Sequence, residues 1–159
     1  MIVGMTPSVF LHVLLSLVGI LSGFIVVFAL LANKPMMAMT HVFLATTILT
    51  SVTGFFLPAA HFMPSHALGI LSMIALMVAV VALYSKRLAG GWRRTYAISA
   101  VIALYFNFFV LIAQSFMKVA ALHALAPTGT EGPFKLAELL ALVIFILLGI
   151  GAAKNFRSA

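Results

Sequence analysis

The chain is predicted to be an all-α integral membrane protein, a bundle of five transmembrane helices with its N-terminus outside and its C-terminus inside. Three observations predict it. Mean hydropathy is +1.28. Of the 159 residues 65% are apolar and 7% charged, whereas soluble domains carry roughly a quarter charged residues. Five apolar stretches are each long enough to cross a hydrocarbon core of about 30 Å. A water-soluble chain of this length could not bury so much apolar surface, so lipid must be the solvent for much of it. All 159 residues read as a single polytopic domain, with no polar extension large enough to fold separately.

The first span covers about residues 10–31. Its leader lacks Lys and Arg, and the apolar run exceeds the roughly 7–15 residues of a signal-peptide core, so it is read as a permanent helix. His12, Ser16, Gly19 and Gly23 follow one face. Gly19 and Gly23 form a small-xxx-small pair that lets two backbones approach closely in lipid. Asn33-Lys34-Pro35 ends this element, and the second span covers 36–57 before Pro58. It is rich in hydroxyls: Thr46, Thr47, Thr50, Ser51 and Thr53. Thr46, Thr50 and Thr53 share a face and are the expected partners of a polar residue at that depth.

A short connection, His61-Phe-Met-Pro-Ser-His66, leads to a third span over 66–84, with Ser65 placed to cap it and Tyr84 suited to the membrane–water boundary. The most basic loop follows, Ser85 to Arg94, turned by Gly90-Gly91 and anchored by Trp92. The fourth span, 95–118, carries Asn107, Gln114 and Lys118 in an otherwise apolar run. Separations of seven and eleven residues put these three on one stripe of a helix. A mid-span amide needs a partner, so this stripe should face protein. After a moderately apolar tail and a Pro127–Pro133 loop, a fifth span covers 134–153, with Glu138 near its start and a second small pair in Gly149 and Ala153.

Charge sets the expected orientation. With the 86–94 loop in the cytoplasm, Lys34, Lys86, Arg87, Arg93, Arg94, Lys154 and Arg157 all lie inside, leaving Lys118 and Lys135 outside. The positive-inside rule then places the N-terminus out and the C-terminus in, and the expected location is a cell inner membrane. The formal charge of +7 reads as a topology signal beside apolar spans, and no nucleic-acid partner is expected.

This orientation gathers His12, His61, His66 and His123 near the outer face, with Glu131 and Glu138, and leaves His41 at the inner one. Neutral imidazole ligates zinc, copper and haem iron, so these four are candidate ligands for a haem or transition metal. The His12-led, small-residue helix is similar, over that helix alone, to the opening of small haem- or copper-associated membrane proteins. The plainer alternative is that interfacial histidines are simply amphipathic. Asn107, Gln114, Lys118 and Glu138 are the candidate ligand-binding residues, with Lys118 and Glu138 also expected to pair and fix the fourth helix against the fifth.

Catalytic signatures are absent. Cysteine does not occur, carboxylates number two, and the sequence contains no Gly-x-Ser-x-Gly, His-Glu-x-x-His or Walker pattern. No internal repeat suggests an inverted-repeat transporter. The expected function is therefore non-enzymatic: association with other membrane proteins or with a second copy, or binding of a lipophilic ligand. The alternative is a histidine-ligated haem or metal protein with its site near the outer face.

Overall fold

Pro7 starts the first helix and Asn155 ends the last. The computed structural model describes residues 6–57 and 64–156, and among them there is no strand. His61, the capping role of Ser65, and Arg157 lie outside the described residues. The helices are α1 (Pro7–Leu31), α2 (Met37–Phe56), α3 (Pro64–Val80), α4 (Trp92–Lys118), α5 (Ala120–Leu125) and α6 (Gly132–Asn155). Five segments are long and apolar enough to cross a membrane: Pro7–Leu31, Met37–Phe56, His66–Ser85, Trp92–Lys118 and Gly132–Asn155. The moderately apolar tail after Lys118 breaks at Val119 and forms the separate short α5.

Local chemistry sets the ends. The Thr6 hydroxyl accepts from the Val9 amide at 3.4 Å and Pro7 occupies the first turn, where a missing N–H costs nothing. Asn33, in the left-handed region at φ 55°, turns the chain out of α1. The last turn of the third span widens into a π-turn, Val81–Ser85, closed by bonds from Lys86 N to Val81 O and from Leu88 N to Ala82 O, both 2.9 Å. The wider turn carries Tyr84 over His41, where the two rings stack with centroids 5.6 Å apart and the Tyr84 hydroxyl hydrogen-bonds to Nδ1.

Helices α1, α2, α3 and α4 form a four-membered ring in which each packs on the next and α4 closes back on α1. Across the diagonal, α2 and α4 barely meet. Helix α6 sits outside the ring against α4 and α1. There Phe145 meets Phe24, Tyr105 and Phe108 at centroid distances of 5.4–5.7 Å. Asn155 donates to the Leu31 carbonyl at 3.0 Å.

The interior divides along the helix axes. In the half nearer the 86–94 loop, Val26, Val27, Leu30, Phe43, Leu76, Ala79, Ala82, Tyr96, Ala97, Ala100 and Leu104 make a closed core. Alanines dominate the buried faces of α3 and α4, which lets their backbones pack closely. Gly23 of α1 lies where a Cβ would stand 2.6 Å from Leu104 and 2.9 Å from the Phe43 ring, so the small pair predicted on α1 marks a three-helix contact. On α6 the tight approach is instead at Gly151, against Leu31, while a Cβ on Gly149 would meet Val101 at an ordinary 3.6 Å.

Candidate functional site

The other half of the ring is not filled. A cavity of about 520 Å³ lies among α1, α2, α3 and α4, within the roughly 300–1,000 Å³ of small-molecule sites. Much of its wall is apolar, from Val13, Leu17, Phe106, Val110 and Leu111. Polar side chains line it as well: His12 and Ser16 from α1, Thr47, Thr50 and Ser51 from α2, His66 and Ser72 from α3, and Asn107, Gln114 and Lys118 from α4.

Three of the four predicted ligand-binding residues, Asn107, Gln114 and Lys118, therefore share one cavity. Asn107 is buried at its deep end and Lys118 is exposed at the end of α4. The expected threonine partners of Asn107 are a correction. Ser16 of α1 donates to Asn107 Oδ1 at 2.7 Å, and Asn107 Nδ2 returns a longer 3.4 Å bond to the Ser16 carbonyl. Thr46, Thr50 and Thr53 instead donate at 2.6–2.7 Å to carbonyls four residues back in their own helix. Helices α2 and α4 lie across the diagonal of the ring and barely meet, so sharing a depth does not bring the threonines to the asparagine.

Gly19 makes this polar floor possible. A Cβ there would lie 3.0 Å from Thr47 Oγ1 and 3.3 Å from Asn107 Nδ2. Thr47 is only 1% exposed, yet its hydroxyl has no hydrogen-bond partner. Its special position was not evident from the sequence, where it is one of a run of hydroxyls. Higher on the wall, His12 Nδ1 and Thr53 Oγ1 are 2.9 Å apart, and His66 stacks on Phe55 at 5.6 Å.

Glu138 lies elsewhere. It is buried on α6, not on the cavity wall, within electrostatic reach of Tyr105. Both of its carboxyl oxygens lack hydrogen-bond partners. The expected Lys118–Glu138 pair is thus not formed: Lys118 belongs to the cavity and Glu138 to the α4–α6 seam. Glu131, outside the spans, folds its carboxylate back onto its own loop. The Thr128 hydroxyl at 2.6 Å, with the Thr128 and Thr130 amides, holds that carboxyl down from 4.5 to about 2.

Of the predicted metal ligands, His12 and His66 line the cavity, His123 is exposed on α5 away from it, and His61 is outside the described residues. Among the described residues no three of His, Cys, Asp or Glu gather closely enough to hold a metal ion.

Comparison with protein-family models, with curated proteins and with solved structures gives no match to this chain.

Proposed function

We propose that this is a non-enzymatic multi-pass protein of a cell inner membrane, N-terminus out and C-terminus in, that holds one lipophilic ligand in the α1–α4 cavity. The cavity itself carries the reading: an apolar space of small-molecule size that contains the polar stripe of α4 and ends on a buried amide. The same bundle packs tightly in its other half, so the space is local and not a sign of general loose packing. Positive-inside bias supports the orientation. The bare outer face of α6, with Leu139, Leu140, Val143, Ile144 and Leu147 exposed, suits lipid or a second membrane helix.

The test is purification in a mild detergent followed by mass spectrometry of extracted lipids, beside a variant with the wall filled, Val110→Trp. A single-chain lipophile retained stoichiometrically by the wild type and lost from the folded variant supports the proposal. Folded protein that retains nothing and takes up nothing refutes it. Metal or haem ligation by His12 is the second reading, favoured by its position on the cavity wall with Nδ1 held by Thr53, the arrangement usual for ligating imidazoles. Absence of a Soret band and of stoichiometric metal after metal-replete expression would remove it.

A further inference from the structure

A second apolar space lies outside the four-helix ring, along the seam between α4 and α6, with a volume of about 550 Å³. It is a trough and not a chamber. Its floor includes the buried Val101 and Phe145, and its rims are exposed: Ile98 and Ile102 on α4, Ile146 and Ile150 on α6. Gly149 leaves the floor open, since a Cβ there would meet Val101 at 3.6 Å and nothing nearer.

The charged residues of the trough stand at one end. Arg94 begins its α4 side and Lys154 ends its α6 side, and both are exposed. Ring contacts fix how the two helices are set against each other. Arg93 lies over the Phe156 ring at 5.6 Å and Tyr96 meets the same ring at 6.2 Å, while towards the far end Tyr105 meets Phe145 at 5.5 Å. Arg94 and Lys154 thus flank one mouth, on the side of the 86–94 loop. Neither acidic side chain is at this end: Glu131 precedes α6 and Glu138 lies near its start.

The length of the trough matches one leaflet. It runs from Arg94 to Tyr105 on α4 and from Leu142 to Lys154 on α6, which at the helical rise is about 16–18 Å. Half of a hydrocarbon core is about 15 Å, and Tyr105 is the middle residue of α4. In a bilayer the space is therefore basic at the membrane surface and apolar down to the midplane.

We propose that this trough binds an anionic diacyl phospholipid of the leaflet beside the 86–94 loop, its phosphate at the Arg94–Lys154 mouth and one acyl chain along the floor. A guanidinium fork matches phosphate oxygens and an ammonium adds a second positive charge, and basic residues between helices at the membrane surface gather anionic head groups. Other cations at this end are placed differently: Lys86 lies over the Trp92 ring at 5.5 Å and Arg93 over Phe156, both outside the trough. A second copy of the chain fits less well, because a twofold pairing about the membrane normal would bring like charges together at the mouth. The site is separate from the α1–α4 cavity and does not depend on what that cavity holds.

The experiment uses the full chain, washed free of lipid in mild detergent and titrated with phosphatidylglycerol or phosphatidylcholine carrying the same palmitoyl and oleoyl chains. Native mass spectrometry counts the lipids bound per chain. The wild type is expected to take up one phosphatidylglycerol about tenfold more tightly than phosphatidylcholine. Arg94→Gln with Lys154→Gln should abolish that preference, whereas Lys86→Gln with Arg87→Gln, which removes the same charge outside the trough, should keep it. Gly149→Leu, which puts a side chain on the floor, should weaken both lipids, and Val110→Trp, which fills the α1–α4 cavity, should leave phosphatidylglycerol bound. Thermal unfolding checks that each variant is folded; if Gly149→Leu is not, the charge variants decide. Equal binding of the two lipids, no binding of either, an equal loss in the Lys86 and Arg87 control, or a loss with folded Val110→Trp overturns the proposal. So does a dimer that excludes the lipid.

Discussion

Replacing Gly23 by alanine tests the ring arrangement most directly, because this residue is where α1 meets α2 and α4 together. The new methyl would lie 2.6 Å from Leu104 Cδ1 and 2.9 and 3.0 Å from two carbons of the Phe43 ring. Comfortable carbon contacts are about 3.5–4.0 Å. Leu104 and Phe43 are both 0% exposed, so neither has free space to enter and the phenyl ring is rigid. Overpacking of this kind costs typically 1–3 kcal/mol. Alanine returns up to about 1 kcal/mol in helix propensity, which takes the middle of that range to a net loss of about 1 kcal/mol. Gly149→Ala is the control, since its methyl meets only Val101 at 3.6 Å, and it should be neutral or slightly stabilising. Both variants can be unfolded by titrating dodecyl sulfate into mild-detergent micelles while helicity is followed by circular dichroism. A Gly23→Ala protein as stable as wild type, or a Gly149→Ala protein less stable than Gly23→Ala, would refute the packing described here.

Asn107→Leu and Ser16→Ala should each cost about 0.6 kcal/mol, up to about 2, and the double variant less than their sum; strict additivity in the same titration would mean that the 2.7 Å bond contributes nothing. Glu138→Met should leave stability unchanged or raise it, by up to about 3 kcal/mol, because a buried carboxyl without partners is removed. A fall in the unfolding midpoint would show that Glu138 has a partner after all. The Glu131 carboxyl is held below its ordinary range by the folded loop, so its contribution to loop order is present above about pH 4.5 and is lost as pH falls towards 2. Amide hydrogen exchange of Thr128 and Thr130 should accelerate, relative to its intrinsic pH dependence, over that window, and a pH-independent protection would contradict the assignment.

Hydrophobic length and the breakers Pro35, Pro58, Gly90-Gly91 and Pro133 were enough to find all five apolar helices, because those signals are local to each helix. The same periodicity placed Asn107, Gln114 and Lys118 on one face, and that face lines the cavity. What periodicity cannot supply is the identity of the neighbour. Thr50 and Asn107 share a depth, yet Ser16 takes the bond because α1 packs beside α4 whereas α2 lies across the ring from it. Glu138 shows the same limit: a loop joins its helix to that of Lys118, but its side chain turns to the seam with Tyr105. The π-turn at Val81–Ser85 has no glycine, proline or other breaker within it to announce it.

The outlying position of α6 has a consequence for how the protein is made. Among the described residues none beyond Val119 lines the cavity, and the four helices that enclose it are contiguous in the chain. Because synthesis runs from the N-terminus, the binding chamber can close around its contents while the final helix is still being translated. Helix α6 then arrives as a latch, its Phe145 seating among aromatic rings and Gly151 against Leu31. A chain halted after Ala126 would keep a complete chamber and lose only the clasp.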